Sequence, residues 1–583
     1  MWKNRQPVSL RLLTQAFVML CLLAVSHDMA ADSYLFSNGT SDYTIVVSQV
    51  ASQSERTAAR ELQTYLQQVS GVSLSLSSSP APKMIHIGWS PATGYKKPDD
   101  TFQGFRYVTR DGNLYIYGGR NLGTMYGVYA FLENELGVRW YTADYTRIPH
   151  LSTFRLKSYN HSEKPAIDYR LDFYYEPLHN PVWCAHNRLN ESNRSIANQY
   201  GGQTAIYGFH SAFRLVNPDK YFDSHPEYYS LRKNGRQHKT GQLCLSNPDV
   251  IRIATESLLK IIHDNPGYWA YDVSQEDNQN YCQCEECTYL AEQYGGQSGL
   301  MIWYVNQLAD AVKQIYPDKY LCTLAYLYTR HAPTGIAPND NVVVRLCNIE
   351  CCFSHTLDDA TCQRNAGFYE DLMQWGRITD NIYLWDYIVC FKGYLTPYPN
   401  FNVLAGNLRL FSRSGAIGVL EEGAHNAPWG EFSELRQWLV AKLLWNPNQD
   451  TDRLIREFCT DYYGRASEQV LKYFDLYNRQ VQDEHVAFKE SPHWKQYASE
   501  DFTLEAGVIL QRALYASKGD SIVEKRVKRL LAQVYFMQIA SSPRGYSRSD
   551  AYIRLQHILR SDPTRLSESH TDISLILKEM GFT

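Results

Sequence analysis

The sequence predicts an α/β protein centred on a (β/α)8 barrel of the TIM type, with a small α/β domain before it and an α-helical region after it. Strand-like and helical patterns alternate for about 300 residues beyond Lys164, the alternation that parallel strands with crossover helices produce. From Glu434 onward the strand patterns vanish while helical spacing continues. The chain, at 583 residues, is also too long for one hydrophobic core. The expected organisation is a leader over 1–31, the α/β domain over 32–158, the barrel over 159–465 and the helical region over 466–583.

The leader follows from Lys3, Arg5 and Arg11, an apolar run from Leu12 to Val25, and the small residues Ala30 and Ala31. That order is the pattern of a secretory signal peptide. Cys21 follows Leu20, a poor match to a lipoprotein processing site. No later segment approaches the roughly twenty apolar residues a transmembrane helix requires. The expected location is periplasmic or extracellular, with an outer-surface association also open.

In the first domain, Tyr43 to Val50 reads as a strand. Ala58, Leu62, Tyr65, Leu66 and Val69 then recur at helical spacing and stop at Gly71. Met84 to Gly88, Phe105 to Thr109 and Leu114 to Tyr117 are further strands, the last two joined by the hairpin signal Asp111-Gly112. A second helix runs from Leu122 to Leu136 and ends at Gly137. In the barrel, strand candidates are Tyr268 to Val273, Tyr320 to Leu327, Val342 to Cys347, Ile382 to Tyr387 and Ala416 to Leu420; Met301 to Ile315 and Phe368 to Trp375 read as intervening helices. Helical patterns recur at Leu454 to Tyr463 and Val523 to Ile539.

The charge balance, 57 Lys and Arg against 61 Asp and Glu, leaves no basic stripe to neutralise a phosphate backbone, which argues against nucleic acid as a partner. The 44 Tyr and 12 Trp provide flat faces edged with hydrogen-bonding groups, on which sugar rings stack; core packing uses the same residues.

A parallel barrel presents its functional groups at the C-terminal ends of its strands. Two acidic clusters meet that condition. Tyr271-Asp272-Val273-Ser274-Gln275-Glu276-Asp277-Asn278 runs from a strand into acids and an amide; Ala416 to Leu420 ends in Glu421-Glu422, with His425 three residues on. Cleaving a glycosidic bond needs a proton for the leaving oxygen and a second group that attacks or stabilises the oxocarbenium-like centre. Glu276 is the expected acid/base, with Asp277, Glu421 and Glu422 as candidates for the second role; the bland reading of each is a solvated loop acid or a helix cap. Arg170, His210, Asn278, Tyr328, Trp385 and His425 are the candidate sugar contacts. No cofactor is required for this chemistry, and the partner is a glycan or glycoprotein.

Cys282, Cys284 and Cys287 have the C-x-C-x-x-C spacing of part of a zinc site, with Cys244, Cys347, Cys351 or Cys352 as a possible fourth ligand. Disulfides are the competing reading for an exported chain. Either would stiffen the loop behind Glu276.

Two stretches carry a resemblance. Ala58 to Leu66 with Gly71, and Gly118-Gly119-Arg120-Asn121-Leu122-Gly123 through Glu133, extended by Leu136-Gly137-Val138-Arg139-Trp140-Tyr141, resemble the domain that precedes the barrel in family 20 hexosaminidases and family 67 α-glucuronidases. His225-Pro226-Glu227-Tyr228-Tyr229, Leu243 to Pro248, the Glu276 to Cys287 block and Leu443 to Pro447 resemble domain-of-unknown-function family 4838, part of which is glycoside hydrolase family 163. The resemblance implies an endo-β-N-acetylglucosaminidase acting on complex N-glycans. With an N-acetylglucosaminide as substrate the acetamido oxygen can serve as nucleophile, and without that group Glu421 or Glu422 becomes the nucleophile or base. An α-glucuronidase-like exo-glycosidase and a non-catalytic glycan-binding protein are the alternatives.

Overall fold

A computed structural model of the chain describes residues 34–191, 197–202, 205–480, 485–487, 493–542 and 545–582. The expected leader over 1–31 lies outside the described residues. The chain forms two compact units whose sequences interleave. One runs to Gly137 and resumes over Ile148–Glu163; the other takes Val138–Arg147 and everything from Lys164. The single boundary expected near residue 158 is therefore a double crossing, because the hairpin of Arg139–Thr142 and Tyr145–Arg147 belongs with the barrel.

The first unit holds a six-stranded sheet in the order Asn160–Glu163, Phe105–Arg110, Asn113–Gly118, Met84–Ile87, Thr44–Val47, Ser75–Ser77. The central hairpin turns at Asp111 and Gly112, both at positive φ as a tight antiparallel turn demands. Helix Gln53–Ser70 starts at a capping box between Ser52 and Glu55 and buries Ala58, Leu62, Leu66 and Val69. It ends at Gly71, whose φ of 75° is the left-handed conformation that closes a helix.

The second unit is built on seven parallel strands: β1 Tyr169–Phe173, β2 Ile206–Tyr207, β3 Ala270–Asp272, β4 Tyr320–Ala325, β5 Val342–Cys347, β6 Ile382–Tyr387 and β7 Gly418–Glu422. Their order across the sheet is β1-β7-β6-β5-β4-β3-β2, with every neighbouring pair parallel. Helices Pro248–Asp264, Gln297–Ile315, Gln363–Trp375 and Phe401–Arg413 occupy the crossovers from β2 to β3, β3 to β4, β5 to β6 and β6 to β7. This is the expected α/β architecture, with a curled parallel sheet. Among the described residues it has seven strands rather than eight, and β1 and β2 share no ladder. The reason is local: β2 is two residues long, and the edge of β1 is met instead by Glu191, whose backbone N–H donates to the carbonyl of Arg170 at 3.3 Å.

Helices from Ser433–Trp445 to Ile573–Glu579 follow the last strand. A fully buried ion pair stands where this region starts: the Arg436 guanidinium contacts both oxygens of Glu431, and the Tyr477 hydroxyl donates to the same carboxylate. Arg436 also donates to the carbonyl of Tyr398 and to Oδ1 of Asn400, which ties the region to the connection between β6 and β7. Among the described residues no helix is long and apolar enough to cross a membrane.

Candidate active site

Side chains of a strand alternate between its two faces, so the inward set is fixed once one residue is placed. On β6, Trp385 and Tyr387 face the barrel interior; on β7, Glu422 does, in register with Tyr387. Together with His210 and Asp277 from the loops after β2 and β3, and Tyr326 at the end of β4, they line a cavity of about 280 Å³ at the C-terminal ends of the strands.

Two carboxylates in this cavity occupy opposite environments. Glu422 is buried, and burial pushes its carboxyl up to about 8 against a hydrogen bond from the Trp385 indole N–H that favours the anion; the charges of Glu568 and Asp277 push it further. Asp277 is exposed, and its Oδ1 accepts a hydrogen bond from the Tyr326 hydroxyl at 3.1 Å. A buried carboxyl group held neutral by its surroundings therefore faces the same space as an exposed, hydrogen-bonded acidic side chain. Environments that separate two carboxyl groups in this way are how one site supplies both an acid and a base or nucleophile.

Glu276 does not line the cavity. Its Oε1 accepts the backbone N–H of Phe213 at 2.8 Å, while its own backbone is clamped by Gln242, which accepts from the Glu276 N–H and donates to its carbonyl. Burial raises its carboxyl above the ordinary glutamate range, with the Phe213 N–H and His210 opposing. Its side chain thus fixes a loop, while the next residue reaches the cavity.

Glu421 is sealed. β7 begins and ends two residues later than the pattern suggested, so both glutamates lie within the strand and point to opposite faces. Glu421 is fully buried on the outer face in register with Asp172 and Asp386, and among the described residues neither of its oxygens has a hydrogen-bond partner. Burial first, then the two neighbouring acids, hold its carboxyl far above the usual range, so it is a neutral packing group.

Of the expected sugar contacts, Trp385 and His210 line the cavity. The His210 Nδ1–H donates to the carbonyl of Gln275 at 2.7 Å, which fixes its tautomer. Arg170 lies elsewhere: it is fully buried on the outer face, donates to the carbonyls of Arg188 and Ile167, and stacks on Trp445. Tyr328 packs against Tyr281 beside a void of about 20 Å³ that also touches Cys282, outside the lining of the larger cavity. Asn278 spans its own turn, donating to the carbonyl of Gly241 and accepting from the N–H of Asn280. His425 stands behind the cavity between Phe173 and Phe391, and burial lowers its pKa.

Sequence reasoning missed the outer wall. Glu568 and Ser569, in the bend before the last helix Ile573–Glu579, and Glu579, its final residue, line the cavity with Lys392, whose Nζ donates to the carbonyl of Glu579 at 3.2 Å. No local pattern marks these residues, because their role depends on tertiary packing of the C-terminal region.

The cysteines of the β3 loop converge with Cys244. The four sulfurs of Cys244, Cys282, Cys284 and Cys287 lie within 4.8 Å of one another, with Cys244 Sγ 3.6 Å from Cys284 Sγ and 3.8 Å from Cys287 Sγ. All four are free thiols, and the spacing matches the edges of a tetrahedron around an ion that binds sulfur at about 2.3 Å. Cys347, Cys351 and Cys352 lie outside this cluster.

The fold has solved relatives. Over 91% of this chain and 76% of theirs, a GH115 4-O-methyl-α-glucuronidase with specificity for decorated arabinogalactans superposes with a TM-score of 0.57 at 12% identity. A family 89 glycoside hydrolase from Clostridium perfringens, in complex with 2-acetamido-1,2-dideoxynojirimycin, gives 0.51 at 10% identity over 87% of this chain and 65% of that one. No curated protein matches the sequence. A family model, described as a domain of unknown function, does match residues 140–475, more than half of the sequence, and on that match the chain belongs to the DUF4838 family.

Proposed function

We propose that the protein is a glycoside hydrolase, with Glu422 as the proton donor and Asp277 as the second carboxylate. The observation that carries this reading is the pair itself: a neutral, buried Glu422 and an exposed Asp277 on one aromatic-walled cavity at the end of a parallel barrel. Phe209, Trp385 and Tyr387 offer ring faces for a sugar, and the structural relatives are glycoside hydrolases. The acid role expected of Glu276 moves to Glu422 because Glu276 commits Oε1 to the Phe213 N–H.

For substrate class we propose an N-acetylglucosaminide within a complex N-glycan, cut internally. In that reaction the acetamido oxygen attacks the anomeric carbon as Glu422 protonates the departing oxygen. Asp277 accepts the amide N–H and stabilises the oxazolinium, and water then opens the ring. No cofactor is called on. The lining argues against a uronate: Asp277, Glu422, Glu568 and Glu579 surround the space, and its single lysine or arginine among the described residues, Lys392, is tied to a carbonyl. Purified protein incubated with a glycoprotein bearing complex N-glycans should release oligosaccharides ending in one GlcNAc, read by mass spectrometry. Release of single monosaccharides would replace the endo reading with an exo one, and glycan binding without release would make the barrel a non-catalytic receptor.

We also propose that Cys244, Cys282, Cys284 and Cys287 hold a structural zinc ion. Four thiols with no disulfide partner, three of them buried, fit a closed all-thiolate site, which keeps no open position for substrate.

A further inference from the structure

A second set of metal-ligating side chains lies elsewhere in the barrel unit, and no motif in the sequence marks it. Cys352 and His355, in the loop after β5, meet Cys362 at the start of helix Gln363–Trp375 and His485 from the C-terminal region. Their ligand atoms all fall within 4.8 Å of one another. Cys352 Sγ is 3.2 Å from His355 Nδ1 and 3.3 Å from His485 Nδ1; Cys362 Sγ is 3.7 Å from His485 Nδ1. A tetrahedral ion with bonds of about 2.3 Å to sulfur and about 2.0–2.1 Å to nitrogen separates sulfur from nitrogen by about 3.5 Å, the middle of that range.

The surroundings are built to hold these groups still. Both cysteines are buried, and the rings of His355 and His485 sit 4.9 Å apart, tilted by 47°. Buried Asn365 accepts the N–H of Cys352 at 2.7 Å and donates to the carbonyls of Cys352, His355 and Thr356, so one amide shapes the whole ligand loop. The second strand of the site is joined by backbone pairing: the Phe353 N–H donates to the carbonyl of Val486 at 2.7 Å, and Cys352 bridges Ala487. His485 reaches back across 133 residues of sequence to Cys352.

We infer that Cys352, His355, Cys362 and His485 form a tetrahedral zinc site of two thiolates and two imidazoles that staples the β5 loop of the barrel to the C-terminal helical region. That ligand set selects zinc over calcium or magnesium, which take oxygen ligands. With all four positions filled by protein the ion is structural, and metal binding offsets the cost of ordering the segment. The same C-terminal region supplies Glu568 and Glu579 to the candidate active site, so the staple lies within the architecture that closes the cavity wall.

Zinc content of the full chain, measured by mass spectrometry after dialysis, tests the site. The His485→Ala variant and, separately, Cys362→Ser should each carry one zinc per chain fewer than the wild type, while Cys244→Ser, which touches the other cluster, keeps the ion held by Cys352, His355, Cys362 and His485. A wild type free of zinc, or variants with unchanged zinc content, would overturn the inference. So would an intact mass showing a Cys352–Cys362 disulfide. Should the variants fail to fold, zinc X-ray absorption of the wild type decides: imidazole nitrogen scatterers are expected, and a shell of sulfur alone refutes the site.

Discussion

The indole N–H of Trp385 donates to Oε2 of Glu422 at 2.6 Å, and both side chains line the same cavity. The bond favours the anion, yet burial wins and the carboxyl stays near 8. The tryptophan thereby sets how far the acid is raised as well as shaping the wall against which a sugar would lie.

That relationship predicts a pH profile. With Glu422 protonated as the donor, kcat/KM should fall along a basic limb centred near 8. Trp385→Phe removes the donor that stabilises the anion, so the limb should move to higher pH by about one unit. A limb that stays in place, or moves down, would show that Glu422 is not the titrating acid.

Asp277→Asn and Glu422→Gln should each lower kcat by about 10²–10⁴-fold, the usual weight of a positioned acid or base. Glu276→Gln should retain most of the turnover, since the amide oxygen can still accept the Phe213 N–H. Initial rates on one glycopeptide separate the assignments: collapse of Glu276→Gln alongside a healthy Asp277→Asn would return the acid role to Glu276.

The same Glu422 predicts a gain in stability on its loss. A glutamate held neutral in the fold and ionised in the unfolded chain binds more protons when folded. Its contribution is fully present below about 4.5 and is lost as pH rises through about 8. Glu422→Gln removes that loss and keeps an oxygen to accept from Trp385. At about 1.4 kcal/mol per pH unit, the inactive variant should exceed the wild type by up to about 3 kcal/mol near pH 7, with the two converging toward pH 4.5. Denaturant melts at both pH values measure this, and a variant less stable at pH 7 would contradict the buried placement.

The barrel was legible in the sequence because parallel strands and crossover helices leave long periodic runs; Val342–Cys347 and Ile382–Tyr387 coincide with the apolar runs that announced them. The active site was half legible. Glu421-Glu422 stood out as a pair, but whether a residue faces the cavity depends on strand register, and a two-residue shift of β7 put one glutamate inside and sent the other to the outer face. Asp277 was visible beside Glu276, yet only the Gln242 clamp and the Phe213 N–H decide which of the two reaches the cavity. Glu568, Glu579 and His485 carry no local signal at all, because their positions are set by how the last helices pack on the barrel.

The buried pair of Arg436 and Glu431 should be strongly coupled. Arg436→Met strands a carboxylate that is 0% exposed, at a cost of about 3–5 kcal/mol, with Tyr477 its remaining hydroxyl donor. Adding Glu431→Gln to that variant removes the orphaned charge and should recover much of the loss. A thermal-melt double-mutant cycle checks this, and additive effects would mean the pair contributes no coupling.

The four-cysteine cluster should act on catalysis through position alone. Cys282 accepts the Leu231 N–H at 3.3 Å, Arg232 holds the carbonyl of Tyr281, and Gln242, two residues before Cys244, clamps Glu276 and Asn278 on either side of Asp277. Stripping the ion with a strong chelator would loosen both ends of that clamp and displace Asp277. A shift of about 1 Å at a reacting group costs about 10²-fold, so kcat should fall by that order while added zinc restores it. Chelator-treated protein that keeps full turnover while its zinc is gone would separate the cluster from the site. Activity insensitive to chelator but lost on reduction would instead mean that the four sulfurs pair as disulfides.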